Sequence, residues 1–211
     1  MNAQTQKFMI PGPAGQIECA LDRPAEEGAR GLALICHPNP TQGGTMDNKV
    51  VQTLARAFLQ LGLRTVRFNF RGVGQSEGVW DEGVGEIDDA QAVLDAVRGD
   101  GEALVLAGFS FGGYIASRLE QRLHVDPAAA ARRLVLVGPA TSRFDVAPTV
   151  PTDTLVIHGE VDDVVPLSSV LDWARPQSLP VVVVPGVGHF FHGQLPLLKS
   201  LVTSSFTDFP V

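Results

Sequence analysis

Short apolar runs alternate with stretches of helical periodicity along most of this chain. Most of the runs are continuous, which is typical of strands that are covered on both faces of a sheet. Between the runs, apolar residues recur three or four positions apart, which is the spacing of an amphipathic helix. Strand and helix therefore alternate after an antiparallel start. This order predicts an α/β protein with a mostly parallel, doubly wound sheet of eight strands and right-handed crossovers.

The apolar runs and the helical spacing between them also predict the positions of the individual strands and helices. The first two strands, Lys7–Ile10 and Gln16–Leu21, are separated by Pro-Gly-Pro-Ala-Gly and are predicted to form an antiparallel hairpin. Later strands are predicted at Gly31–Cys36, Arg64–Phe68, Ala103–Ala107, Arg133–Val137, Thr154–Ile157 and Val181–Val184. Helices are predicted at Val50–Leu61, Ile87–Val97, Tyr114–Leu123, Leu167–Ala174 and Gln194–Phe206. Asp47 is a candidate N-cap for the first helix.

Length and composition limit the class of function. The chain of 211 residues fits one domain, residues 1–211, which is long enough to bury a full sheet between two helix layers. A net charge of −7 without a basic block argues against a nucleic acid or an anionic membrane as partner. Met1–Gln6 lacks the pattern of a signal peptide, and no apolar run is long enough to span a bilayer. Because Cys19 and Cys36 lie in apolar runs, we expect buried reduced thiols and a cytoplasmic protein.

The segment Gly108-Phe109-Ser110-Phe111-Gly112 lies between a predicted strand and a predicted helix. It has the G-x-S-x-G pattern of a nucleophile elbow, a sharp turn that exposes a serine hydroxyl at the edge of the sheet. The flanking glycines allow the strained backbone that such a turn requires. A glycine-rich turn with a passive serine is the alternative. The strand before it and the helix after it favour a nucleophile.

Candidate partners for Ser110 follow two later strands. A serine hydroxyl is a weak nucleophile until a base accepts its proton and an acid orients that base. Asp162 follows the strand Thr154–Ile157, and His189 follows the strand Val181–Val184. Because the carboxyl ends of parallel strands meet at one edge of a sheet, these side chains are expected to converge. The chain order serine, acid, histidine predicts a catalytic triad of Ser110, Asp162 and His189.

Neighbouring residues offer alternatives to these partners. Asp163 adjoins Asp162, and the Gly-Glu before this pair and the Val-Pro after it favour Asp162. The remaining candidate histidines have a structural or a surface interpretation. We expect His158 to brace the acid loop, His192 to lie at the rim of the site and His124 to lie on the surface.

An oxyanion hole requires two N–H donors aimed at the developing negative oxygen. One is expected from the backbone of Phe111, directly after the serine. The second is expected from His37–Gly44, the loop after the third strand. Pro38 and Pro40 have no N–H, which leaves Asn39 as the candidate donor. The prolines are also expected to stiffen this loop, and a rigid turn without a catalytic role is the alternative.

Three further motifs accompany the elbow Gly108–Gly113 along the chain. They are Cys36–Pro40, Gly43–Val51 and Arg67–Ser76. Together these segments resemble the small, lidless bacterial serine hydrolases of the α/β-hydrolase superfamily, over a range from Ile17 to Phe191. The resemblance implies an α/β-hydrolase fold, Ser110, Asp162 and His189 as the triad, and a backbone donor near Asn39. Relatives often carry a histidine where Asn39 stands, and that difference leaves the backbone N–H intact.

A lid domain is not expected. Only Gly138–Asp153 separates the sixth and seventh predicted strands, which is too short for a helical cap, so an open site is predicted. Arg71 is interpreted as part of a structural ion pair with Asp88 or Asp89, because the glycines around it lack the lysine of a nucleotide-binding loop. The sequence has no His/Cys/Asp cluster with the spacing of a metal site, so neither a metal nor another cofactor is expected.

Aromatic residues surround the candidate nucleophile and base. They are Phe109, Phe111, Phe190 and Phe191, and the sequence does not distinguish core rings from rings that line an apolar acyl pocket. Trp80 and Met46 are candidate rim residues of such a pocket.

These residues favour a cofactor-independent, carboxylesterase-like serine hydrolase that acts on small or short-chain esters. The same triad would serve an acyltransferase or a perhydrolase, in which a thiol, an alcohol or a peroxide replaces water. A non-catalytic binding module that retains the fold is the remaining alternative. The expected partner is a small-molecule ester, and the sequence does not indicate an oligomeric state.

Overall fold

The computed structural model describes residues 5–25 and 28–206, so residues 1–4 of the N-terminal segment lie outside the described part. The strands are β1 (Gln6–Gly12), β2 (Gly15–Asp22), β3 (Leu32–Cys36), β4 (Arg64–Phe68), β5 (Leu104–Phe109), β6 (Arg133–Val137), β7 (Leu155–Gly159) and β8 (Val181–Val184). The α-helices are α1 (Lys49–Gln60), α2 (Val84–Val97), α3 (Phe111–Leu123), α4 (Leu167–Ala174) and α5 (Leu195–Ser204). Short 3₁₀ helices lie at Pro40–Gln42 and Arg175–Gln177.

Pairing in the sheet is parallel except at one edge. The 8 strands form one sheet in the order β1-β2-β4-β3-β5-β6-β7-β8. β1 pairs antiparallel with β2, and β2 pairs antiparallel with β4, whereas all the later pairs are parallel. The predicted architecture, a mostly parallel sheet with an antiparallel start, is confirmed.

Alternate residues of the central strand β3 enter different cores. Leu32 and Leu34 pack with residues of α2 and α3 on one face of the sheet. Ala33 and Ile35 pack with residues of α1 and α5 on the other face. All of these side chains are fully buried. Successive side chains of a strand point to opposite faces, so a strand between two helix layers needs an uninterrupted apolar run.

The start of α3 differs from the predicted boundary. Apolar periodicity placed it near Tyr114, but the helix begins at Phe111, directly after Ser110. Gly112 and Gly113 have poor helix propensity, which obscures this first turn in the sequence. In the structure the Ser110 carbonyl accepts a hydrogen bond from the Gly113 N–H at 2.9 Å. The tertiary structure around the turn after Ser110 therefore outweighs the poor helix propensity of these two glycines. The predicted bounds are correct for β4, β6, β8 and α4.

The predicted N-cap of α1 is wrong by one residue. Asn48 is the N-cap, and its side-chain oxygen accepts a hydrogen bond from the Val50 N–H at 2.9 Å. The Asp47 carboxylate instead accepts a hydrogen bond from Arg67 at 3.2 Å. Asp47 therefore pairs with Arg67 and does not cap the helix, although its position in the sequence suggests a cap. Both residue types are good caps, so the sequence pattern alone does not separate them.

Arg71 has a structural ion pair, as predicted, and its partner is Asp89. The guanidinium donates hydrogen bonds of 2.9 and 2.8 Å to the Asp89 carboxylate, and a third of 2.7 Å to the Gly85 carbonyl. The hydrogen bond to Asp89 raises the pKa of Arg71. Asp88, the other candidate, accepts a hydrogen bond from Arg122 at 2.9 Å.

The chain between Val137 and Leu155 contains neither a helix nor a strand. No lid domain is therefore inserted between β6 and β7, as predicted. Among the helices within residues 5–25 and 28–206, none is long and apolar enough to cross a bilayer. Cys19 and Cys36 are free and buried, and burial raises the pKa of the Cys19 thiol to about 12.

Candidate active site

Ser110 lies in the turn that joins β5 to α3. Its backbone has φ 56° and ψ −118°, and such a positive φ is strained for a residue with a side chain. The Ser110 N–H donates a 2.9 Å hydrogen bond to the Val137 carbonyl at the end of β6, which holds the turn in place. The residue lines a small pocket at the carboxyl edge of the sheet. This is the position that the G-x-S-x-G pattern predicts for the serine.

Two glycines allow the turn to pack closely. A Cβ atom at Gly108 would lie 2.0 Å from the Gly112 carbonyl oxygen. A Cβ atom at Gly112 would lie 2.1 Å from the Cys36 carbonyl oxygen and 2.6 Å from that of His37. Only glycine fits at either position. The first turn of α3 therefore rests directly on the backbone at the end of β3, next to the candidate oxyanion loop.

His189 and Asp162 are in direct contact. The Nδ1–H group of His189 donates a hydrogen bond of 2.6 Å to Oδ2 of Asp162, and both side chains are almost completely buried. Nδ1 is thus engaged, which leaves Nε2 for the pocket that His189 lines together with Ser110. Within the described residues the Ser110 hydroxyl makes no hydrogen bond. Long or unformed nucleophile–base contacts are common before a substrate binds.

The second oxygen of Asp162 is held by the backbone. Oδ1 accepts hydrogen bonds from the Val164 N–H at 2.9 Å and from the Val165 N–H at 2.7 Å. Burial on its own raises the pKa of Asp162, but the hydrogen bonds from His189 and from the Val165 N–H outweigh burial and lower this pKa. The carboxylate is therefore ionised and fixed in orientation. Asp163, the alternative, is exposed.

The remaining histidines lie as the sequence predicts. His158 is fully buried, and its Nε2–H donates a 2.9 Å hydrogen bond to the Val165 carbonyl across the acid loop. Burial lowers the pKa of His158, so the ring is neutral and acts as a brace. His192 is exposed beside Phe190, with ring centroids 5.8 Å apart, and the His124 side chain is 68% exposed.

The candidate oxyanion donors belong to two segments next to Ser110, the start of α3 and the loop after β3. Phe111 is the first residue of α3, where a backbone N–H has no partner inside the helix. Asn39 lies in the loop after β3 and lines the Ser110 pocket. Neither N–H has a hydrogen-bond acceptor among residues 5–25 and 28–206. Both N–H groups are therefore unengaged near Ser110 in the described part of the chain, and their role as oxyanion donors stays a prediction.

His37 fixes the loop that carries Asn39. Its Nδ1–H donates a 2.7 Å hydrogen bond to the Pro38 carbonyl, and its Nε2 accepts a 3.1 Å hydrogen bond from the Phe70 N–H. The ring is fully buried, and burial lowers the pKa of His37 to about 4. Because a trans peptide is planar, holding the Pro38 carbonyl also fixes the direction of the Asn39 N–H. The sequence offered no role for His37.

The pocket beside Ser110 is small and has two different walls. Its volume is about 120 Å³. Val164 and Phe190 form an apolar wall, and Asn39, Gln42 and Asn48 form a polar wall.

The aromatic side chains divide between core and pocket. Phe109, Phe111 and Phe191 are fully buried core residues, and Phe190 lines the pocket. Neither predicted rim residue is among those that line this pocket. Met46 is buried, and the half-buried Trp80 packs against the Phe111 ring with centroids 5.0 Å apart.

Sequence reasoning missed Val164, Gln42 and Asn48 as pocket residues. Val164 follows Asp162 closely in the sequence, and this nearness to the predicted acid is a signal that could have indicated it. Gln42 belongs to the predicted oxyanion loop His37–Gly44, in which only Asn39 was given a role. Asn48 belongs to the segment Gly43–Val51, which contributed to the family resemblance but was given no role in the pocket. Only tertiary packing places these residues beside the serine, because the loop after β3 folds over the start of α3.

Comparison with known families gives a match over more than half of the chain. The sequence profile of the serine aminopeptidase S33 family matches residues 29–151. An uncharacterised protein of Rickettsia prowazekii is 30% identical over 195 residues, which cover 85% of this chain and 79% of that protein.

Two solved structures of bacterial hydrolases are similar over nearly their whole length. An α/β serine hydrolase without a lid from Xanthomonas campestris has 36% identity and a TM-score of 0.87, with 98% of this chain and 95% of that chain covered. An α/β serine hydrolase homologue from Coxiella burnetii has 40% identity and a TM-score of 0.81, with 96% and 97% covered. The resemblance to lidless serine hydrolases is therefore confirmed.

Proposed function

This chain belongs to the serine aminopeptidase S33 family, and from that premise we propose that it is a serine hydrolase of small or short-chain carboxylic esters. One observation carries the proposal. Ser110 and His189 line the same pocket, and His189 Nδ1–H donates a 2.6 Å hydrogen bond to the buried Asp162. Family membership supports hydrolase chemistry, and the ester substrate and the residue roles are our proposal.

In the proposed first step, Ser110 Oγ attacks the ester carbonyl carbon while Nε2 of His189 accepts the hydroxyl proton. Asp162 stabilises the imidazolium that results, since its carboxylate is held by His189 and by backbone N–H groups. The carbonyl oxygen becomes an oxyanion between the N–H groups of Phe111 and Asn39. Loss of one such donor lowers kcat by about 100- to 1,000-fold in related chemistry.

The second half of the reaction uses the same groups in reverse roles. The tetrahedral intermediate collapses, and the alcohol leaves with the proton that His189 carries. Water then enters, His189 accepts a proton from it, and the resulting hydroxide attacks the acyl-enzyme. The acid leaves and the Ser110 hydroxyl is restored. No step requires a redox change or any reactant other than the ester and water.

The lining of the pocket favours an ester over the amino-terminal peptide that the family name describes. An aminopeptidase must bind a free α-ammonium group, and a carboxylate is the natural partner for such a cation. None of the residues that line the pocket in the described part of the chain is Asp or Glu. The volume of about 120 Å³ also falls well below the roughly 300 Å³ at which pockets for drug-sized ligands begin.

A series of p-nitrophenyl esters from acetate to octanoate tests this proposal. We expect the wild type to prefer the short chains. Ser110→Ala should lower kcat by at least about a thousandfold, and Ser168→Ala, an exposed serine on α4, serves as the matched control. Faster cleavage of leucine p-nitroanilide than of any ester would contradict the proposed substrate class. Product analysis with added thiol or alcohol shows whether water is the acceptor.

We also propose that the protein is cytoplasmic. Cys19 and Cys36 are buried free thiols, which suit a reducing compartment. Fractionation of cells that produce the protein from its full gene, followed by immunodetection, tests this location. Recovery from the periplasm or the medium would contradict it.

A further inference from the structure

The polar wall of the Ser110 pocket consists of side-chain amides. Asn39, Gln42 and Asn48 line this pocket together with the apolar residues Val164 and Phe190. An amide carries both an acceptor oxygen and two N–H donors. Which of these the wall presents to a substrate depends on which atoms are already engaged.

The amide oxygens of two of these residues are engaged. Oδ1 of Asn39 accepts hydrogen bonds from the N–H and the hydroxyl of Thr41, both at 2.9 Å. Oδ1 of Asn48 accepts a 2.9 Å hydrogen bond from the Val50 N–H at the start of α1. The NH₂ groups of Asn39 and Asn48 have no acceptor within residues 5–25 and 28–206. Asn39 and Asn48 therefore offer N–H donors, rather than acceptors, on the polar wall.

The wall carries no fixed charge. None of the residues that line the pocket in the described part of the chain is Asp, Glu, Lys or Arg. The neighbouring Asp47 is partly exposed and is paired with Arg67. A substrate carboxylate would meet no cation at this wall and would approach an acidic protein of net charge −7. A neutral oxygen can accept the amide hydrogen bonds without that penalty.

We propose that the NH₂ groups of Asn48 and Asn39 bind a neutral acceptor oxygen of the substrate. The substrate class is then a small ester that carries an ether, hydroxyl or carbonyl oxygen on its acyl or alcohol part, in preference to a purely aliphatic ester. This inference rests on the proposed esterase function, because it assigns a substrate class to the same pocket. Asn48 is the position to test, since Asn39 also supplies the proposed oxyanion N–H.

Two matched substrate pairs, each differing by one CH₂-to-oxygen replacement, test the inference. p-Nitrophenyl butyrate and p-nitrophenyl methoxyacetate differ in the acyl part. Butyl acetate and 2-methoxyethyl acetate differ in the alcohol part. The measured quantity is the ratio of kcat/KM for the oxygenated ester to that for the aliphatic ester. Intrinsic reactivity cancels when this ratio is compared between the wild type and a variant.

Variants at Asn48 can remove the NH₂ group and keep the helix cap. Asn48→Asp and Asn48→Ser both retain an oxygen that accepts from the Val50 N–H, so α1 keeps its N-cap. The aspartate adds a negative charge, and the serine does not. Gln121→Glu, on an exposed part of α3 where Arg118 donates to the side chain, makes the same amide-to-carboxylate change away from the pocket. Thermal unfolding of each variant checks that the fold is retained.

We expect the ratio for one of the two substrate pairs to fall about fivefold in both Asn48 variants, the loss of roughly one hydrogen bond. Gln121→Glu should leave both ratios at the wild-type value. The pair that responds identifies the acyl or the alcohol part as the partner of Asn48. Ser110-dependent hydrolysis with unchanged ratios in both variants would overturn the substrate class and leave the esterase function standing. Absence of hydrolysis of every ester by the folded wild type would overturn both.

Discussion

The Phe70 N–H donates a hydrogen bond of 3.1 Å to Nε2 of His37, and this bond joins the loop after β4 to the loop after β3. The same imidazole donates through Nδ1 to the Pro38 carbonyl, so it fixes the peptide that carries the Asn39 N–H. A buried ring with both nitrogens engaged has one orientation available. We therefore expect His37 to position the oxyanion donor without touching the substrate.

Replacing His37 tests this positioning role. His37→Leu removes both hydrogen bonds, and we expect kcat for a p-nitrophenyl ester to fall at least about tenfold with little change in KM, because the Asn39 N–H serves the transition state. His37→Gln, which can donate and accept, should recover part of the rate. His124→Leu, at an exposed histidine, is the control. A lower stability with unchanged kcat would show a purely structural role.

The buried histidines also make stability depend on pH. Burial lowers the pKa of His37 to about 4, from 6.5 for an exposed histidine, and it lowers the pKa of His158 as well. The unfolded chain thus binds protons in a range where the folded protein does not. The contribution of His37 to the free energy of unfolding is complete above about pH 6.5. It falls by about 3 kcal/mol in all as the pH falls towards about 4.

Urea unfolding at pH 7 and pH 5 measures this dependence. Between these values we expect His37 to account for a loss of about 2 kcal/mol in the free energy of unfolding. His37→Gln should be less stable at pH 7, and its stability should change less with pH than that of the wild type. An equal pH dependence in both proteins would contradict the assignment to His37.

The adjacent carboxylates Asp162 and Asp163 should differ strongly in function. Asp162 contacts His189 at 2.6 Å, and Asp163 is exposed. Asp162→Asn removes the charge that stabilises the imidazolium and disturbs the tautomer of the ring, so kcat should fall by about 10,000-fold, as in other triads. Asp163→Asn should stay within about twofold of the wild type. Steady-state rates of both variants with one ester are sufficient, and equal losses would contradict the assignment of the acid.

The packing of α3 on β3 gives a prediction at Gly112. A methyl group there would lie 2.1 Å from the Cys36 carbonyl oxygen, so Gly112→Ala must push the start of the helix away from the loop that carries Asn39. We expect a lower Tm and a lower kcat. Gly99→Ala is the matched control, because the nearest atom to its added methyl group is 3.6 Å away. Wild-type Tm and rate in Gly112→Ala would show that the close packing is dispensable.

Much of the fold could be predicted from local patterns. The strands that are buried on both faces, such as Leu32–Cys36, require apolar residues at every position, and the helices between them require one apolar stripe. The start of α3 was predicted too late, because the geometry of the elbow fixes this turn in spite of its glycines. The N-cap of α1 was misassigned because Asp47 and Asn48 are equally good caps and only the distant Arg67 separates them.

The candidate site could be predicted where a residue follows its own strand. Ser110 and His189 are placed by the ends of β5 and β8, and the two backbone bonds to Asp162 show why the neighbouring Asp163 cannot take its place. The roles of His37 and Asn48 could not be predicted. His37 contacts Phe70, and Asn48 lines the pocket beside Ser110. Both arrangements join segments that are distant in the sequence, so no local pattern of residues predicts them.

Labelling with a fluorescent fluorophosphonate is the most direct test of the proposed nucleophile. The reagent reacts with an activated serine, and the comparison is between the wild type, Ser110→Ala and His189→Ala, each shown to be folded by circular dichroism. We predict strong labelling of the wild type and none of either variant, because activation needs both the hydroxyl and the base. Folded wild type that is not labelled, or Ser110→Ala that is labelled as strongly as the wild type, would contradict the account.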